Sequence, residues 1–544
     1  MENGIIKSFI EKNLRLAKSI WNGKNGSSLE AYSFIISSIK IIEPKISENL
    51  ILNSITDGYL DIGIDAILID KKNKTVSFFE AERTDEINYK NFETYLNAID
   101  TCIFGAGMPK KFTNINLIKK AKNLITNSYK VKIYILRSKV IKKDVYKEYF
   151  KRLEKIKNKY SSISSVDILD AKRLVEIAIG EPFKKINYHW KIKNSSVGED
   201  NKIVIKKNNS VETLIVRLSL LDILKLQEEY EKKGFNLFEQ NVRGFQNIKL
   251  ISEKIISTVK ENPNFFYKYH NGITFSCDKV EILNKTKYKI YNPQIINGCQ
   301  TVSSLYNAFK KNLGNNILKK SYVLCKFYSL KETEVESVCE ATNTQIKINN
   351  WDLRANDNIQ KKIELLLSLR SLKYARKSDK LKGRLPVYLV SLGQWIYACK
   401  NEEPAAAKNN KKKLFEVKNE DSIYRKIYNE KLTDEEVVNI YIIGNNVIQN
   451  INKKKSKLDK KFEKHANFHI MAAIYQFVKK DKNKTIDENF VFKKYNLALK
   501  IVKKIFKKIA KKHKENEDLL FNKVFTKEQN TWAEIKKEIY RKEK

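Results

Sequence analysis

The stretch DGYLDIGIDAILIDKKNKTVSFFEAER, residues 57–83, decides the fold of the N-terminal part of this chain. Apolar, β-branched and aromatic residues on either side of a Lys-Lys-Asn-Lys turn predict two strands, Ile64 to Ile69 and Thr75 to Glu82. Because side chains alternate along a strand, Glu80 and Glu82 point to the same face. The stretch therefore predicts a β-hairpin that ends in two neighbouring carboxylates.

Asp65, on the first predicted strand, lies near Glu80 and Glu82 if the hairpin closes in register. Clustered carboxylates repel one another unless a cation lies between them. Oxygen ligands in this pattern suit Mg²⁺ or Mn²⁺, and such a site supports metal-assisted hydrolysis of a phosphate ester. The alternative is an acidic strand end that faces solvent on an ordinary sheet, since short carboxylate patterns recur by chance.

Further elements follow in a recognisable order. Helices are predicted at Ser28 to Ile42 and at Asp85 to Cys102, on either side of the hairpin, and a buried strand is predicted at Val131 to Leu136. This order, with its D…ExE pattern, resembles the PD-(D/E)xK nuclease superfamily. The resemblance implies an α/β fold with a restriction-endonuclease-like αβββαβ domain. It also implies the catalytic residues Asp65, Glu80 and Glu82 and the metal ligands Glu30, Asp65 and Glu80.

The chain departs from the superfamily at Glu82, where lysine is usual. That lysine helps to orient the attacking water and offsets negative charge. Some restriction enzymes of the superfamily have an ExE ending, in which the second glutamate is the proposed base. Lys71, Lys72 and Arg83 are nearby cations that could replace the missing lysine.

The composition sets the class of protein. A chain of 544 residues is long enough for two to four domains. It has neither an apolar run of the ~20 residues that a membrane span needs nor a secretory signal, so we expect a cytoplasmic protein without a membrane partner. The formal net charge of +42 favours binding to nucleic acid. A lysine excess from an AT-rich genome is the competing explanation of this charge.

The region after residue 210 contains the most unusual motifs. They are LFEQNVRGF (Leu237 to Phe245), NPNFFYKYHNGITFSC (Asn262 to Cys277), NPQIINGCQTVSSLYNAF (Asn292 to Phe309) and EATNTQIKINNWDLRAND (Glu340 to Asp357). Their order and content resemble the AIPR family, which is named for abortive infection and phage resistance. His270 stands where the family usually has asparagine, and Ile296 replaces valine. The resemblance also implies a nuclease-like N-terminal domain.

The Asn-Gly turns in these motifs allow close backbone approach, and the flanking amides can donate and accept hydrogen bonds. One turn leads into a predicted helix, whose N-terminal N–H groups favour an anion. The functional interpretation is a site for a phosphate-bearing ligand, and the alternative is that these side chains satisfy buried backbone in tight turns. Arg354 is a further candidate for a phosphate contact. The predicted binding residues are Arg243, Asn271, Asn297, Gln300, Thr301, Asn343 and Gln345.

We therefore predict a nuclease-like domain at residues 1–190, a mixed α+β AIPR-like domain at 210–400 and a helical, lysine-rich C-terminal region at 401–544. In that last region an amphipathic helix, Tyr495 to His513, is expected to pack onto the AIPR-like core, and binding to DNA, a membrane surface or a partner is the alternative. The preferred function is a Mg²⁺-dependent DNA endonuclease of phage defence. A catalytically degenerate sensor of nucleic acid or nucleotide is one alternative, and an RNase is another. Because nucleases that cut both strands are commonly dimers, a homodimer is among the partners to test.

Overall fold

The computed structural model describes most of the chain. Residues outside the description are 22–27, 57–61, 108–114, 181–187, 194–201, 208–209, 234, 239, 241–248, 343–348, 378–386, 481–485, 512–516, 528–529 and 544. The chain divides into two compact units. The first comprises Met1–Phe183 with Leu365–Leu372, and the second comprises Lys184–Glu364 with Lys373–Lys544. The three predicted domain ranges stay predictions.

The first unit is built on a four-stranded sheet in the order β1-β2-β3-β4. Its strands are β1 (Ala66–Asp70), β2 (Thr75–Glu82), β3 (Lys130–Arg137) and β4 (Ile163–Leu169). Its helices are α1 (Glu2–Lys18), α2 (Leu29–Ile42), α3 (Glu48–Leu52), α4 (Tyr89–Asn97), α5 (Ile115–Thr126), α6 (Lys143–Lys159) and α7 (Ala171–Ala178).

The β1–β2 hairpin forms where the sequence predicts it. Ala66 pairs with Phe79 and Asp70 pairs with Thr75 in an antiparallel register. Asp70 Oδ1 accepts hydrogen bonds from the backbone N–H groups of Lys72 (2.9 Å) and Asn73 (3.1 Å), which closes the turn. The first strand begins two residues later than predicted, at Ala66, and the second has the predicted limits.

The helix after the hairpin differs from its prediction. It begins at Tyr89 rather than Asp85, because the Asn88 side chain accepts from the N–H groups of Lys90 and Asn91 and so caps the first turn. It then continues as a π-helical segment, Ala98–Phe104. By contrast, α2 begins at Leu29, one residue after the predicted start, and Ser28 caps it by accepting from the Ala31 N–H at 3.2 Å.

The predicted αβββαβ order is not confirmed. Among the described residues, only two strands form the hairpin. Instead of a third antiparallel strand next to β1, the structure has a single antiparallel bridge between Ile55 and Ala66. β3 and β4 then join in parallel pairing. Parallel neighbours require crossover connections, and the helices between β2, β3 and β4 provide them. The described order is therefore a hairpin followed by two parallel strands.

The second unit begins with two larger sheets and a two-stranded one. β5, β10 and β9 form an antiparallel sheet, whereas β11-β8-β12-β7-β6 is a mixed sheet in which β8 and β12 run parallel. The strands are β5 (His189–Lys193), β6 (Ile203–Lys207), β7 (Ser210–Ser219), β8 (Ile273–Cys277), β9 (Lys279–Ile282), β10 (Lys287–Tyr291), β11 (Gln294–Asn297), β12 (Tyr322–Ser329), β13 (Tyr374–Ala375) and β14 (Val387–Tyr388).

One core joins the two larger sheets. Phe275 and Phe327 stack with ring centroids 4.6 Å apart, and Trp190 packs against both rings. The helices of this part are α8 (Leu220–Lys233), α9 (Lys249–Glu261), α10 (Cys299–Phe309), α11 (Asn315–Lys320), α12 (Glu332–Thr342), α13 (Asn350–Arg354) and α14 (Asn358–Leu369), with a 3-10 segment at Pro263–Lys268.

The C-terminal part is helical, as predicted. Its helices are α15 (Leu389–Cys399), α16 (Pro404–Asn409), α17 (Ile423–Ile427), α18 (Asp434–Lys453), α19 (Lys457–Lys480), α20 (Glu488–Ala510), α21 (Glu517–Asn522) and α22 (Asn530–Glu543). α20 buries its apolar residues against α19 and α22, so this amphipathic helix packs within the protein, but onto neighbouring C-terminal helices and not onto the range 210–400 as predicted. No helix among the described residues has the length and apolarity to cross a bilayer.

Candidate functional site

Three carboxylates meet at one end of the hairpin. Asp65 directly precedes β1, and its backbone N–H donates to the Phe79 carbonyl at 2.8 Å, which continues the ladder. Its side-chain Oδ2 accepts from the Ala81 N–H at 2.6 Å. Since Ala66 pairs with Phe79, Asp65 is the next position along and lies beside Glu80. The predicted approach of Asp65 to the β2 carboxylates is therefore present in the structure.

A buried arginine holds both glutamates. Arg137 ends β3, is fully buried, and donates from Nη1 to Glu80 Oε2 (2.6 Å) and from Nη2 to Glu80 Oε1 (3.1 Å). Its Nη2 also lies 3.3 Å from Glu82 Oε2. In the parallel register Glu82 is the direct partner of Arg137. The arginine thus supplies the positive charge among these carboxylates.

Glu82 and Glu30 have further partners nearby. Glu82 Oε1 accepts from the Asn91 side chain on α4. Glu30, near the start of α2, forms an ion pair with Arg83. The Glu30 carboxylate is half exposed, so its pair is screened by solvent and contributes little to stability. The structure thus brings Glu30 to the end of the hairpin through Arg83.

Burial dominates the electrostatics of this cluster. It raises the pKa of Glu80, and the contact with Arg137 lowers that pKa only in part. Burial also raises the pKa of Tyr95 well above its ordinary value, with smaller contributions from the negative charges of Glu80 and Asp65. The Tyr95 hydroxyl donates to the Phe78 carbonyl at 2.9 Å. Tyr95 therefore stays neutral and serves as a hydrogen-bond donor beside the carboxylates.

As arranged, these side chains do not form a set of metal ligands. Both oxygens of Glu80 accept from Arg137, and both oxygens of Glu82 have protein partners. Within the described part of the chain, no three His, Cys, Asp or Glu side chains converge as ligands of one ion. The protein's own cations neutralise the carboxylates in this conformation.

Arg137 is the residue that sequence reasoning missed. The cations considered for the missing lysine were Lys71, Lys72 and Arg83, all close to the hairpin in sequence, whereas Arg137 is on the next strand. The signal was present, because Arg137 directly follows the apolar run VKIYIL and lies two positions after Ile135 and four after Ile133. Those two side chains are fully buried, so the alternation of strand side chains carries Arg137 to the same face.

A second cluster joins the motifs of the mixed sheet. Gln240, next to the NVR motif, accepts from Ser276 of β8 through its side chain and from the Cys339 thiol through its backbone carbonyl (3.5 Å). Cys339 directly precedes the fourth motif, which begins at Glu340, and packs on Ile296 of β11. Segments separated by about 100 positions thus converge on the β8–β11 edge of the sheet. Described residues in or next to each of the four motifs therefore lie near one another here.

His270 links two of these motifs. The Gly272 N–H donates to His270 Nδ1 at 3.0 Å, so the proton of the neutral ring is on Nε2, which donates to Thr301 Oγ1 at 2.6 Å. Gly272 has φ +91°, and a Cβ there would lie 2.8 Å from the Leu324 carbonyl oxygen. Only glycine fits this turn without a shift of the backbone.

Burial lowers the pKa of His270 to about 4. The unfolded chain therefore binds a proton between about pH 6.5 and 4 that the folded chain does not. Burial of the neutral His270 ring therefore has no pH-dependent cost above pH 6.5. Below that pH, protonation of the unfolded chain lowers the unfolding free energy progressively as the pH falls towards 4. Because His270→Asn removes the titrating ring, we expect it to flatten the pH dependence of the urea-unfolding free energy in this range, by on the order of 3 kcal/mol at pH 4.

The matched control is His189→Asn, at an exposed position of β5. It should retain the pH profile of the wild type, whereas His270→Asn should not. An unchanged profile in His270→Asn would contradict the buried neutral ring.

The remaining predicted binding residues divide into two groups. Gln300 Nε2 donates to Ser252 Oγ at 3.2 Å, and Thr301 is buried against His270, so both make contacts within the protein. These contacts favour the structural alternative for Gln300 and Thr301. Asn271 is exposed and Asn297 is partly exposed, so both remain candidates for ligand contacts.

The other candidate cations and amides give less information. Arg243, Asn343 and Gln345 lie outside the described residues. Arg354 Nη1 lies 3.7 Å from Asp357 Oδ2, and its guanidinium is 5.9 Å from the Tyr424 ring centroid. Arg354 therefore makes contacts within the protein, with Asp357 and Tyr424.

Comparison with known protein families supports the AIPR resemblance of the four motifs. The sequence model of the AIPR protein family matches residues 238–519, just over half of the chain. No curated protein and no solved structure matches the chain. The family match does not cover Met1–Phe183, so the nuclease resemblance of that part stays a prediction. The family name refers to abortive infection and phage resistance, which suggests a role in phage defence. By its sequence from residue 238 onward, this chain belongs to the AIPR family.

Proposed function

We propose that this protein acts in abortive-infection phage defence as a DNA endonuclease, with its cutting site at the end of the β1–β2 hairpin. One observation carries the proposal: Asp65 lies beside Glu80 across the hairpin, and Glu82 follows on the same face. The hairpin is followed by a crossover to a parallel strand, the arrangement expected of the PD-(D/E)xK superfamily. Acidic groups that converge on one strand end are typical of phosphodiester hydrolysis.

The carboxylates would have different roles. The Glu80 side chain is almost fully buried, whereas the Glu82 side chain keeps a fifth of its surface exposed. Glu82 is therefore the better placed of the two to orient a water molecule against a phosphate. Arg137 would offset the charge that the superfamily lysine offsets elsewhere. Mg²⁺ or Mn²⁺ dependence remains part of the proposal, although the present arrangement does not fit a metal ion and assigns it no step.

A second candidate function has its own supporting observation. Arg137 occupies both oxygens of Glu80 in a buried bidentate pair. A pair of this kind can have a purely structural role. The hairpin unit would then be catalytically degenerate, and the protein would sense nucleic acid or nucleotide and signal to a partner. RNA in place of DNA is the third possibility, because both offer the same backbone charge. A homodimer is also proposed only as a state to be tested.

Plaque counts on bacteria that express the full chain test the role of the hairpin in defence. Asp65→Asn preserves the size of the side chain and its capacity to accept from Ala81, so the fold should persist. We expect this variant to give as many plaques as cells without the protein, because the acidic site is lost. Asp70→Asn, at the turn of the same hairpin, is the control and should protect like the wild type. Protection by Asp65→Asn would favour the sensor.

A further inference from the structure

Aromatic side chains stand exposed just before the Asn271-Gly272 turn. In the segment NPNFFYKYH, Phe265 (50%), Tyr267 (38%) and Tyr269 (68%) expose large fractions of their surface, whereas Phe266 between them is buried. The 3-10 segment therefore anchors through one ring and presents the others to solvent. Exposed apolar groups that lie together mark an interaction site more often than scattered ones do.

An arginine lies against the same group of rings. Arg217 is on β7, and its guanidinium carbon is 4.4 Å from the Tyr322 ring centroid and 5.6 Å from the Tyr267 ring centroid. Its Nε is buried and has no hydrogen-bond partner among the described residues. The described residues also place no carboxylate in an ion pair with Arg217. Within the described ranges, the cation is thus positioned by aromatic rings, and no acid there neutralises it.

Arg217, Tyr322 and Leu324 share one face of the mixed sheet. Along β12, Val323, Cys325 and Phe327 are buried, so the alternate positions, including Tyr322 and Leu324, face the other way. Arg217 pairs with Leu324 in the antiparallel register and stands on that same face. Leu324 is itself 42% exposed, which shows that the face is accessible at this point.

We propose that the stacking surface, defined by Arg217, Tyr267 and Tyr322 together with the adjacent chain positions Lys268 and Tyr269, binds the unpaired bases of single-stranded nucleic acid. Base–aromatic stacking tolerates any sequence, because every base has a π face. Arg217 and Lys268 supply positive charge for the backbone, and Lys268 lies 4.7 Å from the Phe265 ring centroid. Charge complementarity favours a polyanion over a second copy of this basic chain, whose net charge is +42.

This inference goes beyond the proposed cutting site, because the stacking surface lies in the second unit and needs no catalysis. In a duplex the bases are stacked on one another and their faces are not accessible. The binding affinity for single strands should therefore depend on the tyrosine rings, whereas the affinity for duplex DNA should depend only on the positive charge of the protein.

Fluorescence anisotropy with the full-length protein in EDTA tests the inference. The probes are labelled oligo(dT), labelled oligo(U) and a duplex of equal length, each of about 20 nucleotides. We expect Tyr267→Ala and Tyr269→Ala each to weaken binding of the single strands by about tenfold and to leave duplex binding unchanged. Comparison of oligo(dT) with oligo(U) identifies the preferred single strand.

Phe492→Ala is the matched control, because Phe492 is 64% exposed on α20 and lies outside the stacking surface. It should bind all probes like the wild type. Arg217→Lys keeps the charge but removes the planar group, so a several-fold loss on single strands alone would support the inference further.

Wild-type affinity for single strands in both tyrosine variants would overturn the proposal. Equal losses on single strands and duplex would also overturn it, as would loss of a homodimer in light scattering without any change in oligonucleotide binding. The assay contains EDTA and measures binding alone. Its result is therefore independent of whether the protein is a nuclease.

Discussion

Replacing Arg137 with methionine is expected to lower the unfolding free energy of the first unit by about 3–5 kcal/mol. Arg137 is fully buried and Glu80 is almost fully buried, so the variant leaves a carboxylate in a low-dielectric site without its partner. The same change removes the donors to the Glu86 carbonyl (3.1 Å) and the Leu136 carbonyl (2.8 Å). Loss of one member of a buried pair is among the most destabilising kinds of substitution.

The expected loss can be separated from a simple packing defect. In Arg137→Met/Glu80→Leu both charges are absent, so much of the lost stability should return, because buried ion pairs are often replaceable by apolar residues. Arg83→Met is the control on the same hairpin. Its pair with Glu30 is exposed, and the effect should stay within about 1 kcal/mol.

Urea unfolding of the full chain, followed by far-UV circular dichroism, measures these differences. Because the chain forms two compact units, unfolding need not be a single transition, and the midpoint of each resolved transition is compared between the variants. A transition of Arg137→Met at the wild-type urea concentration would contradict the buried pair as the anchor of this site.

The sequence predicted the elements whose local signals are strong. The alternation of Thr75 to Glu82 and the turn before it predicted the hairpin, and the pattern of Ser28 to Ile42 predicted α2. The approach of Asp65 to Glu80 followed from register alone. In each case the decisive interactions lie within a few residues or follow from strand geometry.

The parts that were missed depend on contacts between distant segments. Nothing local to the hairpin indicates that Arg137, 57 positions after Glu80, would fill the centre of the carboxylate cluster. The stacking surface likewise combines Arg217 with Tyr267 and Tyr322, which only the folding of the mixed sheet brings together. Gln300 was predicted to bind a ligand, but it contacts Ser252 of α9 instead. Residue type and spacing cannot supply such long-range partners.

The other large expected effect is on catalysis. Glu80→Gln and Asp65→Asn keep the size of each side chain but remove a carboxylate from the cluster. We expect each variant to lose about 10²- to 10⁴-fold in the rate of nucleic-acid cleavage, because the cluster holds the proposed base Glu82 in place and loss of a positioned acid–base group costs this much. Glu93→Gln, a carboxylate on α4 that pairs with Arg152, is the control and should cut like the wild type.

Cleavage of plasmid DNA and of RNA at low salt, with Mg²⁺, Mn²⁺ or EDTA, tests the central claim most directly. The wild type, Glu80→Ala and Glu80→Gln are compared, with and without lysate from phage-infected cells to supply a trigger. The account predicts cleavage by the wild type that requires the metal, prefers DNA and disappears in both Glu80 variants. Salt-sensitive binding without cleavage under any of these conditions would contradict the nuclease and leave the sensor as the function of the hairpin unit.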